Sequence, residues 1–251
     1  MKINSHIVKA SVAAVAAITL ASCSGTSVKL PQSRPAELNM HRGSTVSISY
    51  SGALADRVTD ELIRLIRSDG YYTHVTTAYP NPAYSINVVD SDNNTVRSVI
   101  RVGRYGPVLW RSSNEQLSWG DVFNGKSMAD TYAQNIYHKF VPHETTYKVR
   151  MKPDEKKNPT LARAVEMAKI AQWDQAKALA AQAVQEHPED PEAHFVLGSL
   201  LRNDSRYDES DAEIKQAMTL DPKDSRFTWA LKKNNQMRTE EAHVIHQLQG
   251  N

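Results

Sequence analysis

One cysteine, Cys23, stands in a chain of 251 residues, so no disulfide forms within the chain. Charge of one sign is also lacking. The formal net charge of +2 disappears if Lys2 and Lys9 are removed with the N-terminal segment. A neutral remainder gives no electrostatic case for nucleic acid. Beyond Leu20 no segment is apolar for the about 20 residues that a membrane-spanning helix needs. The glycines form no phosphate-cradling loop, and Ser51-Gly52 lacks the flanking pattern of a nucleophile elbow. His243 and His246 are three apart, with no adjacent carboxylate or cysteine to complete a four-ligand metal set. His138 and His143 straddle a helix end at Pro142. Asp90 and Asp92 fit a turn better than a catalytic pair, and Trp110 and Trp119 fit sheet core better than a sugar platform. These absences predict a protein that is not an enzyme and holds no metal or cofactor.

What the chain does have begins at its N-terminus. Lys2 and Lys9 are followed by an almost wholly apolar stretch from Ser11 to Leu20, then by small residues. That is the layout of a secretory signal, predicted here over residues 1–22. Its apolar run is too short for a permanent span. The tetrad Leu20-Ala21-Ser22-Cys23 resembles the lipobox of bacterial lipoproteins. The resemblance implies cleavage before Cys23, acylation of its thiol and new amino terminus, and a stable membrane anchor made by several acyl chains. Ser24, where the enterobacterial sorting rule places Asp for inner-membrane retention, implies the outer membrane, facing the periplasm. Residues 24–34 are rich in Ser, Thr, Gly and Pro, and predict a flexible tether, so that residues 23–35 link the lipid to the first folded domain.

Residues 36–150 predict an α+β domain. Val46, Ile48 and Tyr50 alternate with Thr45, Ser47 and Ser49 in a strand. Ser51-Gly52 then open a helix with Leu54, Val58, Leu62, Leu65 and Ile66 on one stripe, and Gly70 stops it. Strands follow over Tyr71–Tyr79, around Tyr84, Ile86 and Val88, and around Val96, Ile100 and Val102, with Arg97 and Arg101 pointing to solvent. A weaker strand signal lies at Val108-Leu109-Trp110. A second amphipathic helix carries Met128, Tyr132, Ile136, Tyr137 and Phe140, and Thr145–Met151 reads as one more strand. The expected form is a meandering sheet with helices on one face.

Pro35-Ala36-Glu37-Leu38-Asn39, Ala55-Asp56 with Leu62, and Gly106-Pro107-Val108-Leu109-Trp110 together resemble the CsgG/LpoB-like lipoprotein superfamily. Relatives there include the curli export channel and an activator of peptidoglycan synthases. The turn Asp90 to Asn94 is too short to supply the barrel hairpins of the channel members, whose strands need roughly 9 to 11 residues.

After a charged linker at 151–158 the strand signal vanishes and a repeat begins. Trp173 and Tyr207, Ala183 and Ala217, and Pro188 and Pro222 share one offset, the period of about 34 residues of tetratricopeptide repeats. Leu197-Gly198 and Ser210 supply the small positions where neighbouring helices approach, and Pro188 and Pro222 stop helices. Residues 159–247 resemble two tetratricopeptide (TPR) repeats, and Ser225–Gln249 reads as a polar helix capping the open end. The expected architecture is thus an α+β N-terminal domain followed by an all-α TPR solenoid. The resemblance implies a concave groove for a peptide or partner helix, lined by Leu161, Val165, Ala168 and Lys169, then by Glu192, Phe195, Ser199, Arg202 and Asn203. The whole reads as a membrane-anchored adaptor that binds a protein or peptide partner in the cell envelope. A second reading, by analogy with the channel relatives, is an accessory subunit of an export machine.

Overall fold

The computed structural model describes residues 25–72, 74–76, 81–92, 95–112 and 127–249. Cys23, Ser24, the signal segment and Trp119 lie outside the described residues. In chain order the elements are β1 (Thr26–Arg34), β2 (Thr45–Ser51), α1 (Ala53–Asp69), β3 (His74–Thr76), β4 (Tyr84–Ser91), β5 (Thr95–Val102), β6 (Val108–Arg111), α2 (Met128–Tyr137), β7 (His143–Met151), α3 (Pro159–Lys169), α4 (Trp173–Glu186), α5 (Pro191–Asn203), α6 (Tyr207–Leu220) and α7 (Ser225–Gln249).

Alternation builds the first unit. β2 runs parallel to both β3 and β4, while β4, β5 and β6 are antiparallel, giving the sheet order β3-β2-β4-β5-β6. Ile48, Ile86 and Ile100 lie in one cross-strand row and are wholly buried under α1 and α2. The parallel pair requires a crossover, which α1 supplies. Gly52 precedes α1 at φ +112°, and a Cβ there would collide with the Asp90 carboxylate. That carboxylate accepts from the Leu54 and Ala55 amides (3.2 and 2.6 Å), satisfying donors that a helix start leaves open. Asp90 therefore caps a helix from β4. Gly70 closes α1 in the left-handed conformation. Ser127 and Asp130 form a reciprocal capping box at the start of α2.

The second unit corrects the expected architecture. Residues 26–34 are a strand and not a tether. β1 pairs antiparallel with β7 over its whole length, from Thr26↔Met151 to Arg34↔His143. β7 likewise does not extend the first sheet. One face of this ribbon carries Val28, Leu30, Val149 and Met151, all buried in a single core with Leu161, Val165, Phe195 and Phe227 of the helices. The C-terminal half is therefore not an all-α solenoid. The described chain is a mixed α+β fold with seven helices and two sheets, and its second sheet is built into the helical half. The physical reason is burial: the helices alone leave the apolar side chains of Leu161, Val165 and Phe195 open on one face. Here the ribbon covers it.

Small residues set the helix spacing. A Cβ on Gly198 would lie 2.8 Å from Ile214 Cγ1, and Ser210 donates its hydroxyl to the Gly198 carbonyl at 2.6 Å. α5 and α6 thus pack at close range. α7 does more than cap the stack. It runs past the ribbon, where Glu240 pairs with Arg34 at 2.6 Å, and its end reaches the first unit. There Gln247 exchanges two hydrogen bonds with the Ala36 backbone (2.9 and 3.1 Å), and the Tyr71 hydroxyl donates to the Gln247 carbonyl.

Candidate functional site

The predicted groove residues converge as a set, but on an interior. Leu161 and Val165 of α3 lie under the ribbon, and Phe195 of α5 packs on Phe227 at 5.2 Å between ring centres. Ser199 is wholly buried, and Arg202 is 1% exposed. Ala168 is buried too, and Glu192 nearly so. Asn203 is half-buried. Lys169 alone of the set is exposed, and its ammonium holds Glu166 at 2.9 Å on its own helix.

Arg202 is the hub of what fills the groove. Its Nε donates to the Tyr147 hydroxyl of β7 at 2.8 Å, and its Nη1 donates to Asn234 Oδ1 at 3.0 Å and the Ala230 carbonyl at 3.2 Å, both on α7. The guanidinium also lies against the rings of Tyr147 and Trp229, 5.3 and 5.8 Å from their centres, and the two rings meet each other at 6.3 Å. Asn234 donates onward to Ser210 and Asp211 of α6. One charge-assisted network therefore joins ribbon, α5, α6 and α7. Charge-assisted bonds of this kind are the stronger ones.

Glu192 anchors a second network. It accepts from the Lys152 amide at 2.5 Å and from Arg226, which also holds Asp224 and the Arg150 carbonyl. Burial works against the Arg226 charge, yet Glu192 and Asp224 outweigh it and hold its pKa above the ordinary value. Lys233 is a third ligand of the ribbon, donating to Gln32 Oε1 at 2.7 Å, and burial together with Arg34 pulls its pKa down.

A cavity of about 120 Å³ remains where the ribbon leaves the helices, lined among others by Glu144, Arg202, Asn203, Tyr207 and Glu241. Glu241 is already held by the Tyr207 and Ser205 hydroxyls, both at 2.7 Å. The space is small, partly open to solvent and more polar than apolar in its lining. Among the described residues no three His, Cys, Asp or Glu side chains gather to hold a metal ion, and no helix is long and apolar enough to cross a membrane. His138 and His143 stack at 3.9 Å between ring centres. Burial lowers the His143 pKa.

The first sheet presents a different surface. Helices cover one face. The other carries Ser49, Asn87, Val99 and Arg111 in one cross-strand row, with Arg101 and Arg97 in flanking rows. Arg97, Arg111, Asn87 and Ser49 are exposed, and Asn87 donates to the Ser49 hydroxyl at 2.9 Å. Trp110 falls on the helix side, packed on the core with Lys139 over its ring. The outward turn of Arg97 and Arg101 was readable from strand alternation. Tyr147, Gln32 and Arg226, which close the groove, carry no local sequence signal for that role. The alternation Val28, Leu30, Gln32 carried the signal for the first strand of the ribbon. Searched against models of known protein families, the chain matches none, and no curated protein matches it.

Proposed function

We propose that this protein is a lipid-anchored adaptor of the bacterial envelope, tethered through Cys23 at the periplasmic side of the outer membrane. The partner binds the open face of the first sheet and not the helical groove. The observation that carries this reading is the contrast between the two surfaces. The groove positions are occupied by the chain's own ribbon, while Arg97, Arg111 and Asn87 stand exposed on a sheet face that no described helix covers. A partner with acidic groups suits that face. The lipid anchor is supported by the Leu20-Ala21-Ser22-Cys23 tetrad and the apolar run before it.

Two measurements test the reading. Cys23→Ser releases folded protein from the membrane fraction, and retention there would remove the anchor. A photocrosslinker at Asn87 in cells captures one recurring envelope protein, and Arg97→Glu with Arg111→Glu abolishes the capture. Capture unchanged by that double substitution would take the partner off this face.

A further inference from the structure

The outer face of the ribbon is basic. Register places Ser27 opposite Arg150 and Lys29 opposite Lys148, and all four side chains point away from the helical core. Like charges directly opposite on paired strands repel, and no described carboxylate pairs with Lys29, Lys148 or the Arg150 guanidinium. The loop that follows β7 adds Lys152, Lys156 and Lys157, the last with its side chain 85% exposed. Against these stand Glu144 further along the same face and Asp154 and Glu155 in the loop. Lys157 pairs with Asp154 at 3.8 Å and Lys152 with Asp224 at 3.9 Å, so the unpaired charge is that of Lys29, Lys148, Arg150 and Lys156. The protein is neutral as a whole once Lys2 and Lys9 are gone, so this charge is local.

The position of the patch gives it a partner. β1 begins at Thr26, three residues after Cys23. Three extended residues span about 10 Å. Gly25 lies against Lys152 and Arg150, since a Cβ on it would sit 2.6 and 3.1 Å from their Cγ atoms. Acyl chains on Cys23 would therefore hold this end of the ribbon at the bilayer surface.

We propose that the outer ribbon face, through Lys29, Lys148 and Arg150 with Lys156, docks on anionic phospholipid headgroups beside the acyl anchor and fixes the orientation of the protein on the membrane. This rests on the lipid-anchor reading. A basic side chain near an anionic surface contributes about fivefold in partitioning, so neutralising three weakens binding about 100-fold, and salt screens it.

The test uses the mature chain with Cys23→Ser, which carries no acyl groups and so isolates the face from the anchor. Co-sedimentation is measured with vesicles of phosphatidylcholine alone and of phosphatidylcholine mixed with an equal amount of phosphatidylglycerol. Binding to the mixed vesicles alone, lost as salt is raised, is expected. Lys29→Gln with Lys148→Gln and Arg150→Gln weakens it about 100-fold, and Lys156→Gln weakens it in a second, independent variant. Arg57→Gln with Lys215→Gln, equally exposed on α1 and α6, leaves it unchanged. Absence of binding at low salt, equal binding to both vesicles, or binding by the ribbon and loop variants as tight as that of the parent chain overturns the proposal. The anchor is judged separately, by fractionation of Cys23→Ser in cells.

Discussion

Replacing Arg202 by methionine separates an open groove from a filled one. Methionine keeps most of the unbranched stem and its packing, so the loss is chiefly that of the guanidinium. Three hydrogen bonds go with it, at 2.8, 3.0 and 3.2 Å, together with the contacts to the Tyr147 and Trp229 rings. The Tyr147 hydroxyl and Asn234 Oδ1 then lose a donor inside the protein. The partners of Arg202 are neutral, and each buried group left unpaired costs about 1–3 kcal/mol. Exchange of a charged for an apolar side chain returns part of this by removing desolvation, so a net loss of about 3 kcal/mol is expected. Urea unfolding of the mature Cys23→Ser chain, followed by circular dichroism and tryptophan fluorescence, reads the change in midpoint. On a solvated helix face the same substitution stays within about 0.5 kcal/mol. A loss that small for Arg202→Met would refute the filled groove.

Gly198→Ala forces a methyl group to 2.8 Å from Ile214 Cγ1 and 3.1 Å from the Ser210 carbonyl, and an overpacked core of this kind loses about 1–3 kcal/mol in the same unfolding assay. An unchanged midpoint would mean that α5 and α6 are not in close contact. His194 gives a pH dependence. Its hydrogen bond to Glu213 at 2.6 Å raises its pKa above the ordinary 6.5, against burial, with the Pro188 carbonyl accepting on the other side. A folded-state pKa raised in this way contributes stability that is complete below the unfolded pKa and is lost as pH rises through the folded one. Stability measured upward from about pH 6.5 therefore carries a falling component that His194→Gln removes. The same slope in both proteins would contradict it.

Local patterns reached some of this structure and stopped short of the rest. The bounds of α7, the close approach at Gly198 and Ser210, and the solvent side of Arg97 follow from periodicity and residue size. These are properties of one element or of neighbours in the chain. The ribbon is not. β1 has alternation at Val28, Leu30 and Gln32, but Pro31 and the surrounding Ser and Thr give the stretch the composition of a linker. Pro31 is tolerated because it sits in a two-stranded ribbon, where half of the backbone amides need no partner. The strand is stabilised by β7, whose residues are distant in sequence, and by helices further on still. Arg202 was misplaced for the same reason. Arginine is rarely buried without partners, and its partners Tyr147, Ala230 and Asn234 come from two other elements.

Whether residues 26–34 are a strand seated on the helices is read by hydrogen exchange on the mature chain with Cys23→Ser. Amides that form part of a packed core open only with large-scale unfolding, whereas those of a solvated tether exchange at once. Peptides covering Val28 to Gln32 are expected to be protected to the same degree as those covering Phe195 to Leu200 of α5, with which Val28 and Leu30 share a core. Exchange at the rate of an unstructured chain across Val28 to Gln32, with α5 still protected, would contradict it and reopen the groove.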